Sequence, residues 1–149
     1  LELARSLGAD VCVNYTKEKW YKDVLEATNG RGVNVALEMA GGSVFQDTLK
    51  CLATFGRLVI YGVASGEQAV MQPSSLMARN QSVIGFFLPQ IMRKPNLLLP
   101  SIHELFSLLE EGRLKIAIGE VYPLEEAAKV HDLMQSRKTT GKVLLEVRR

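Results

Sequence analysis

VNVALEMAGGSVFQDTLKCLATFGRLVIYG, residues 33–62, shows the architecture of this chain most clearly. Residues 33–39 and residues 57–62 are nearly continuous apolar runs, which is typical of strands buried on both faces. Between the two runs, side chains recur at the spacing of a helix that lays one face on a sheet. These positions are Phe45, Thr48, Leu49 and Leu52. A strand, a helix and a strand in this order predict two parallel strands joined by a right-handed crossover.

The same alternation of strands and helices extends along the chain in both directions. Further strands are predicted at residues 11–15, 82–87 and 142–147, with an extended segment at 121–123. Further helices are predicted around Trp20, Val24 and Ala27, at residues 73–78, at 102–109 and at 124–135. The stretch that contains Pro89, Pro95 and Pro100 is predicted to be a long connection. The whole pattern indicates an α/β fold with a doubly wound parallel sheet.

Length and composition indicate one globular domain without a polyanionic partner. The chain has 149 residues, 47% of them hydrophobic, and its 18 Lys and Arg against 16 Asp and Glu give a net charge of +2. Such an even balance argues against nucleic acid as a partner. No apolar run reaches the roughly 18 residues that span a bilayer. Cys12 and Cys51 lie apart in apolar stretches, which predicts a reducing compartment such as the cytoplasm and gives no zinc framework.

The first eight residues, LELARSLG, predict that the chain is a piece of a longer protein. They have the pattern of the last turns of an amphipathic helix that ends at Gly8. A domain rarely begins in the last turns of a helix, so we expect that sequence precedes them.

The residues that follow the predicted strands are the candidate binding site. Ligands of parallel sheets bind outside the carboxyl ends of the strands, which meet at one edge. After the first four strands come Asn14 and Tyr15, then residues 40–42, residues 62–66 and residues 87–89. Glycines there would let a ligand approach the backbone, and Tyr15 could stack on a flat ring. The alternative is that these glycines only end strands.

Standard motifs for phosphate binding, metal binding or nucleophilic catalysis are absent from the sequence. It contains neither a G-x-G-x-x-G nor a G-x-x-x-x-G-K-[ST] segment. Residues 138–142, KTTGK, precede a strand, so we interpret them as a turn. His103 and His131 lack neighbours at metal-ligand spacing, and no G-x-S-x-G elbow surrounds a serine.

Several collinear segments together resemble the medium-chain dehydrogenase/reductase superfamily. They are LGAD (7–10), NY (14–15), GRGVNV (30–35), LKCLATFGR (49–57), YGVASG (61–66), YPLEEAA (122–128) with His131, and RKTTGKV (137–143). Within that superfamily the chain is most similar to the zinc-free quinone oxidoreductases, a branch that includes zeta-crystallin.

The resemblance implies a partial dinucleotide-binding domain over residues 1–149, with residues 137–149 returning to a catalytic domain that the chain lacks. It implies NADPH as the cofactor, and a quinone or another activated alkene or carbonyl as the hydride acceptor. Carried over position by position, Tyr15 would lie by the adenosine and its 2′-phosphate, and Ala40 and Gly41 by the adenosine ribose. The segment Tyr61, Gly62, Val63 and Ala64 would run along the nicotinamide half, Phe86, Phe87 and Leu88 would line the nicotinamide pocket, and Arg137 would reach the cofactor from the C-terminal segment.

The chain lacks the parts of the family that bind the pyrophosphate of the cofactor and that catalyse the reaction. The glycine-rich strand–turn–helix, the second strand with its basic 2′-phosphate residues and the whole catalytic domain are missing, and with them the cradle for the pyrophosphate. We therefore expect the isolated chain to bind NADPH weakly or not at all, and to be inactive. The bare strand edges are expected to recruit a partner, and the last strand is expected to be orphaned without the catalytic domain to which the family returns it. The family pairs the strand matching residues 82–87 across a two-fold axis, which implies a homodimer with an isologous contact.

Two other functions stay open from the sequence. One is a non-catalytic nucleotide-binding or structural module, as the crystallin relatives suggest. The other, more distant, is a methyltransferase that uses S-adenosylmethionine.

Overall fold

The structure is a computed structural model that describes residues 1–136 and 138–147, and its chain divides into two compact units, residues 1–93 and 94–149. The first unit contains α1 (Glu2–Ser6), α2 (Tyr21–Ala27), β1 (Val33–Glu38), α3 (Gly42–Cys51), β2 (Leu52–Ile60), a 3-10 helix (Pro73–Arg79), β3 (Ser82–Gly85) and α4 (Leu88–Met92). The second unit contains α5 (Pro95–Glu110), β4 (Ile118–Pro123), a 3-10 helix (Leu124–Glu126), α6 (Ala127–Gln135) and β5 (Lys142–Glu146). The assignment of residues 137–149 to a returning segment stays a prediction.

The first unit is built on a three-stranded parallel sheet in the order β1-β2-β3. Ala36 lies opposite Leu58, which in turn lies opposite Val83. Helix α3 connects β1 to β2, as the 33–62 stretch predicts. The prediction of an α/β fold with parallel strands is confirmed.

The core of the first unit lies between α3 and one face of this sheet. Phe45 from α3 packs with Leu52 and Leu58 from β2, and all three are at most 3% exposed. Partly buried side chains surround this cluster: Val33, Ala36, Leu49, Ile60, Ala69, Met71 and Val83. The other face of the sheet carries Leu37 and Ile84, which are 69% and 43% exposed.

The strand predicted at residues 11–15 does not form, and that prediction is wrong. These residues have no regular secondary structure up to Asn14 and form a turn at Tyr15. A parallel strand is stabilised by ladder hydrogen bonds to a neighbour, and β1, the nearest candidate, pairs only with β2 among the described residues. The strand predicted at 82–87 is also shorter, because it ends at Gly85.

The strand β2 begins earlier than the sequence predicts and contains an irregularity. Val33 pairs with Leu52, but Val35 pairs with Arg57, so residues 53–56 bulge out of the ladder. Phe55 at this bulge has φ +61° and is 70% exposed. The carbonyl of Leu52 accepts hydrogen bonds from the side chains of Arg79 (2.8 Å) and Gln81 (3.1 Å), which tie the bulge to the sequence before β3.

In the proline-rich stretch, the prediction of a long connection is wrong. Residues 88–92 form α4 and residues 95–110 form α5. Pro89 stands in the first turn of α4, and Pro95 in the first turn of α5. Backbone N–H groups in a first turn make no intrahelical hydrogen bond, so a proline, which lacks this group, is tolerated there. Pro100 lies inside α5. The predicted helix at 102–109 is therefore the second half of a longer one.

The second unit carries its own two-stranded parallel sheet, β4-β5. Val121 lies opposite Leu144 and Tyr122 opposite Leu145. We expected the last strand to be orphaned in this chain, and that expectation is wrong, because β4 supplies its partner. Val130 of α6 is buried in this unit, at 4% exposure.

Candidate functional site

The carboxyl ends of β1, β2 and β3 meet at one edge of the first unit. Glu38 lies opposite Ile60, which lies opposite Gly85, so the three strands end in register. The backbone continues this alignment for one more residue. The N–H of Tyr61 donates to the carbonyl of Glu38 (3.0 Å), and the N–H of Phe86 donates to the carbonyl of Ile60 (2.8 Å).

An exposed apolar surface lies along this edge, and we call it the aromatic shelf. It consists of Tyr61, Val63, Phe86, Phe87 and Leu88, which are between 45% and 66% exposed. Phe86 and Phe87 are therefore not part of the buried cluster between α3 and the sheet. Flat rings stack favourably on aromatic side chains that are held at a fixed edge.

The loops that follow β1 and β2 are joined to each other by hydrogen bonds. The N–H of Ala64 donates to the carbonyl of Met39 (2.7 Å). Ser65 donates to the carbonyl of Ala40 twice, from its N–H (2.9 Å) and from its Oγ (2.6 Å). The N–H of Gly42 donates to the carbonyl of Glu67 (3.0 Å). Residues 39–42 and 61–67 are therefore two loops that hydrogen bonds hold against each other.

This contact between the loops leaves no room for a side chain at Gly41 and little room for one at Gly62. Gly41 has φ +79°, and a Cβ built on it would lie 2.6 Å from the carbonyl oxygen of Glu67. A Cβ on Gly62 would lie 3.2 Å from the carbonyl oxygen of Met39. The close approach that these glycines permit is thus made by the protein itself. Their role in cofactor binding stays a prediction.

Glu38 is a functional candidate that the sequence analysis did not identify. It ends β1 and is only 3% exposed. Its Oε1 accepts hydrogen bonds from the N–H groups of Ala40 (2.6 Å) and Gly41 (2.9 Å). Its Oε2 is buried and has no hydrogen-bond partner among the described residues. The sequence signal was a single acidic residue at the end of an apolar strand, next to two small residues.

Two residues of the predicted site are not brought to this edge by the strand pairing. Tyr15 is 45% exposed and lies in a turn, after a segment that is not a strand. Its position beside the adenosine stays a prediction. Arg137 lies outside the described residues.

Surface depressions occur in the second unit. One of about 400 Å³ is lined by Lys115, Ile116, Ala117, Gly141 and Lys142. Another of about 170 Å³ is lined by Gly119, Glu120, Tyr122, Lys138, Thr139, Thr140 and Val143. None of the predicted site residues within the described ranges lines either one. In the second depression, the Tyr122 hydroxyl donates to Glu120, and this hydrogen bond raises the pKa of Tyr122.

No group of three or more His, Cys, Asp or Glu side chains in the described part of the chain could hold a metal ion. No helix within residues 1–136 and 138–147 is both long and apolar enough to cross a bilayer.

Cys51 gives the first unit a pH dependence that can be measured. Burial at the end of α3 raises the pKa of this thiol from 9.0 to about 11, and the charge of Asp47 acts in the same direction. Above pH 9 the unfolded chain loses the thiol proton while the folded chain keeps it, so stability falls as the pH rises towards 11. The expected loss is about 2 kcal/mol, since each pKa unit corresponds to about 1.4 kcal/mol.

The measurement is urea unfolding at pH 8, 9, 10 and 11 for the wild type and for Cys51→Ala. We expect the difference in unfolding free energy between the two to shrink as the pH rises. Thr48→Ala, another buried position on α3, is the control, because it should lower stability by the same amount at each pH. A constant difference between wild type and Cys51→Ala would contradict the assignment.

The chain was compared with protein families and with curated proteins. Residues 7–145 match the family model for zinc-binding dehydrogenases. A quinone oxidoreductase-like protein 2 from Bos taurus is 34% identical over 149 residues, which cover 99% of this chain and 42% of that protein. A quinone oxidoreductase from Pseudomonas aeruginosa is 30% identical, over 96% of this chain and 44% of that protein.

Solved structures agree with these matches. A mycobacterial protein in complex with NADPH superposes with a TM-score of 0.88 and 31% identity, over 97% of this chain and 46% of that one. An NAD-dependent alcohol dehydrogenase superposes with a TM-score of 0.85 and 33% identity, over 99% of this chain and 41% of that one. The chain thus spans less than half the length of each relative.

Proposed function

Because this chain belongs to the zinc-binding dehydrogenase family, we propose that it is the cofactor-binding portion of an NADPH-dependent quinone or enone reductase. The observation that carries the proposal is the aromatic shelf, which stands where three parallel strands end in register. When bound, the cofactor supplies the hydride from C4 of its nicotinamide. The names of the curated relatives support a quinone as acceptor, and the NADPH complex of a structural relative supports the cofactor.

The residues of this edge fit the rings of a dinucleotide better than its phosphates. Tyr61, Phe86 and Phe87 offer exposed aromatic surface for the nicotinamide. Ala40 and Gly41 would pass under the adenosine ribose. The amino end of α3 is where an anion would bind, but the Glu38 carboxylate already accepts the N–H groups of Ala40 and Gly41. We therefore propose that the chain alone binds NADPH only weakly and does not catalyse reduction.

The zinc implied by the family name has no ligand set in the part of the chain that the structure describes. We propose that the protein is a member of the zinc-free branch, and we derive no step through the metal. Both cysteines are free, which supports a reducing compartment, and we propose the cytoplasm.

We also propose that the chain forms a homodimer through β3. This strand is the outer strand of the sheet β1-β2-β3, so one of its edges is available for pairing with a second copy. Light scattering of the purified chain tests this proposal, and a monomer at micromolar concentration would contradict it.

The test of the proposed function compares the chain alone with a chimera that restores a full-length relative. The chimera joins this chain to the part of the bovine quinone oxidoreductase-like protein 2 that lies outside the matched region. We expect the chimera to oxidise NADPH with 9,10-phenanthrenequinone, while the chain alone binds NADPH with a dissociation constant of about 1 mM or weaker. Titration with NADH in parallel tests the choice of cofactor.

A matched pair of variants connects the activity to the aromatic shelf. Phe86→Ala removes an exposed ring from the shelf, and Phe55→Ala removes an exposed ring from the bulge in β2. In the chimera, we expect Phe86→Ala to raise the KM for NADPH and Phe55→Ala to leave it unchanged. A chimera that binds NADPH without reducing quinone would instead favour the non-catalytic, structural alternative.

A further inference from the structure

The side chain of Glu38 points to the face of the sheet that packs against α3. Glu38 lies two residues after Ala36 on β1, so both side chains point to the same face, and Ala36 belongs to the shell around the core. Glu38 is only 3% exposed. Its Oε1 accepts from Ala40 and Gly41, the two residues that lead directly into α3. The carboxylate therefore lies at the amino end of a ten-residue helix, where the helix dipole favours a negative charge.

A buried carboxylate is costly unless hydrogen bonds satisfy it. Glu38 is satisfied at one oxygen only, because Oε2 has no partner in the described part of the chain. A core function alone would be served better by an apolar residue. What an apolar residue cannot do is accept the two backbone N–H groups that the turn at residues 40–41 turns inward.

Those two hydrogen bonds also support the second loop of the site. The carbonyls of Met39 and Ala40 accept from Ala64 and Ser65, so the position of residues 39–42 sets the position of residues 61–67. Ala64 and Ser65 donate to these carbonyls and not to Glu38. Any effect of Glu38 on them must pass through residues 39–40.

We propose that Glu38 is a positioning residue for this edge: it fixes residues 39–42 and, through them, the loop at 61–67 that carries part of the aromatic shelf. The inference rests on the proposed function only in taking this edge as the cofactor site. Glu38 itself would not touch the cofactor.

The experiment is amide hydrogen exchange, measured by NMR on the 149-residue chain without cofactor. In Glu38→Ala, we expect exchange at Ala40 and Gly41 to accelerate about 10- to 100-fold, the range for a lost hydrogen bond to a charged group. The diagnostic result is a parallel acceleration at Ala64 and Ser65. Exchange at Leu58 and Val59, in the middle of β2, should change much less.

Two further variants separate positioning from a general loss of stability. Glu38→Gln keeps a carbonyl acceptor at the same distance and should restore protection at Ala64 and Ser65. Glu38→Asp keeps the charge but is one methylene shorter, so it should loosen both loops. Thr48→Ala removes another buried polar side chain from α3 and should not loosen either loop selectively. Should Glu38→Ala fail to fold, the comparison of Gln with Asp decides the same question.

The proposal is overturned if Ala64 and Ser65 keep their protection in both Glu38→Ala and Glu38→Asp, or if Glu38→Gln loosens the loops as much as these variants do. Acceleration of equal size at Leu58 and Val59 would also overturn it, because it would indicate global destabilisation. No cofactor is present in this measurement. A chimera that failed to bind NADPH would remove the proposed function and leave the result on Glu38 intact.

Discussion

Leu58→Ala is expected to lower the free energy of unfolding of the first unit by about 3–5 kcal/mol, the range for leucine-to-alanine changes in well-packed cores. Leu58 is completely buried in β2 and packs with Phe45 and Leu52. The described core of this unit is small, so few neighbouring side chains could collapse into the cavity. A protein of this size has a total stability of roughly 5–15 kcal/mol, so a large share of it would be lost.

The matched control is Leu37→Ala on the neighbouring strand. Leu37 pairs with Val59, the residue next to Leu58, and lies on the opposite face of the sheet with 69% exposure. The same chemical change should cost less than about 1 kcal/mol there, as is usual for exposed positions. Urea unfolding curves of both variants test the assignment of faces. Equal losses would mean that α3 does not define the core.

The structure of residues 33–62 could largely be predicted from the sequence, because the patterns that indicate its strands and its helix are local. Each pattern lies within a single element: an apolar run in β1, the helical spacing of Phe45 and Leu49 in α3, and a second apolar run in β2. The crossover of two parallel strands then has one common handedness. The bulge at residues 53–56 was not predicted, because it depends on the register between β1 and β2.

Other elements failed where the decisive partner lies far away in sequence. Residues 11–15 have the composition of a strand but form no ladder, and a strand without a ladder has no stable backbone hydrogen bonds. The stretch that contains Pro89 and Pro95 is predicted from the sequence to be a long connection, although each of these prolines stands in a first helical turn, where proline is tolerated. The spacing of the prolines alone does not distinguish a connection from a helix that begins with proline in its first turn.

The candidate site could be predicted as an edge but not as a set of contacts. Sequence reasoning placed Tyr61 and Phe86 near the carboxyl ends of their predicted strands, and the register brings these two positions together. It did not identify Glu38, since a lone carboxylate after an apolar run is usually solvated. Its burial depends on how α3 packs over the end of β1.

Gly41→Ala is the second change for which we expect a large effect, because it combines two separate costs. With φ +79° and ψ -164°, Gly41 has a backbone conformation that is essentially restricted to glycine and costs roughly 1–3 kcal/mol for another residue. In addition, its Cβ would lie 2.6 Å from the carbonyl oxygen of Glu67, which belongs to backbone and cannot rotate away. The loop at 61–67 must then move, with loss of the hydrogen bond from Gly42 to Glu67 and weakening of that from Ala64 to Met39, each about 1 kcal/mol.

The total expected loss for Gly41→Ala is therefore about 3–5 kcal/mol. Gly66→Ala carries the cost of a positive φ without the contact, because Gly66 has φ +73° and a Cβ there would meet no atom within 4 Å. It should lose only about 1–2 kcal/mol in the same denaturation experiment. The excess for Gly41 over Gly66 measures how rigidly the two loops are held against each other. If the two variants lost the same free energy, the loop at 61–67 would be free to yield, and the aromatic shelf would have no fixed geometry to offer a dinucleotide.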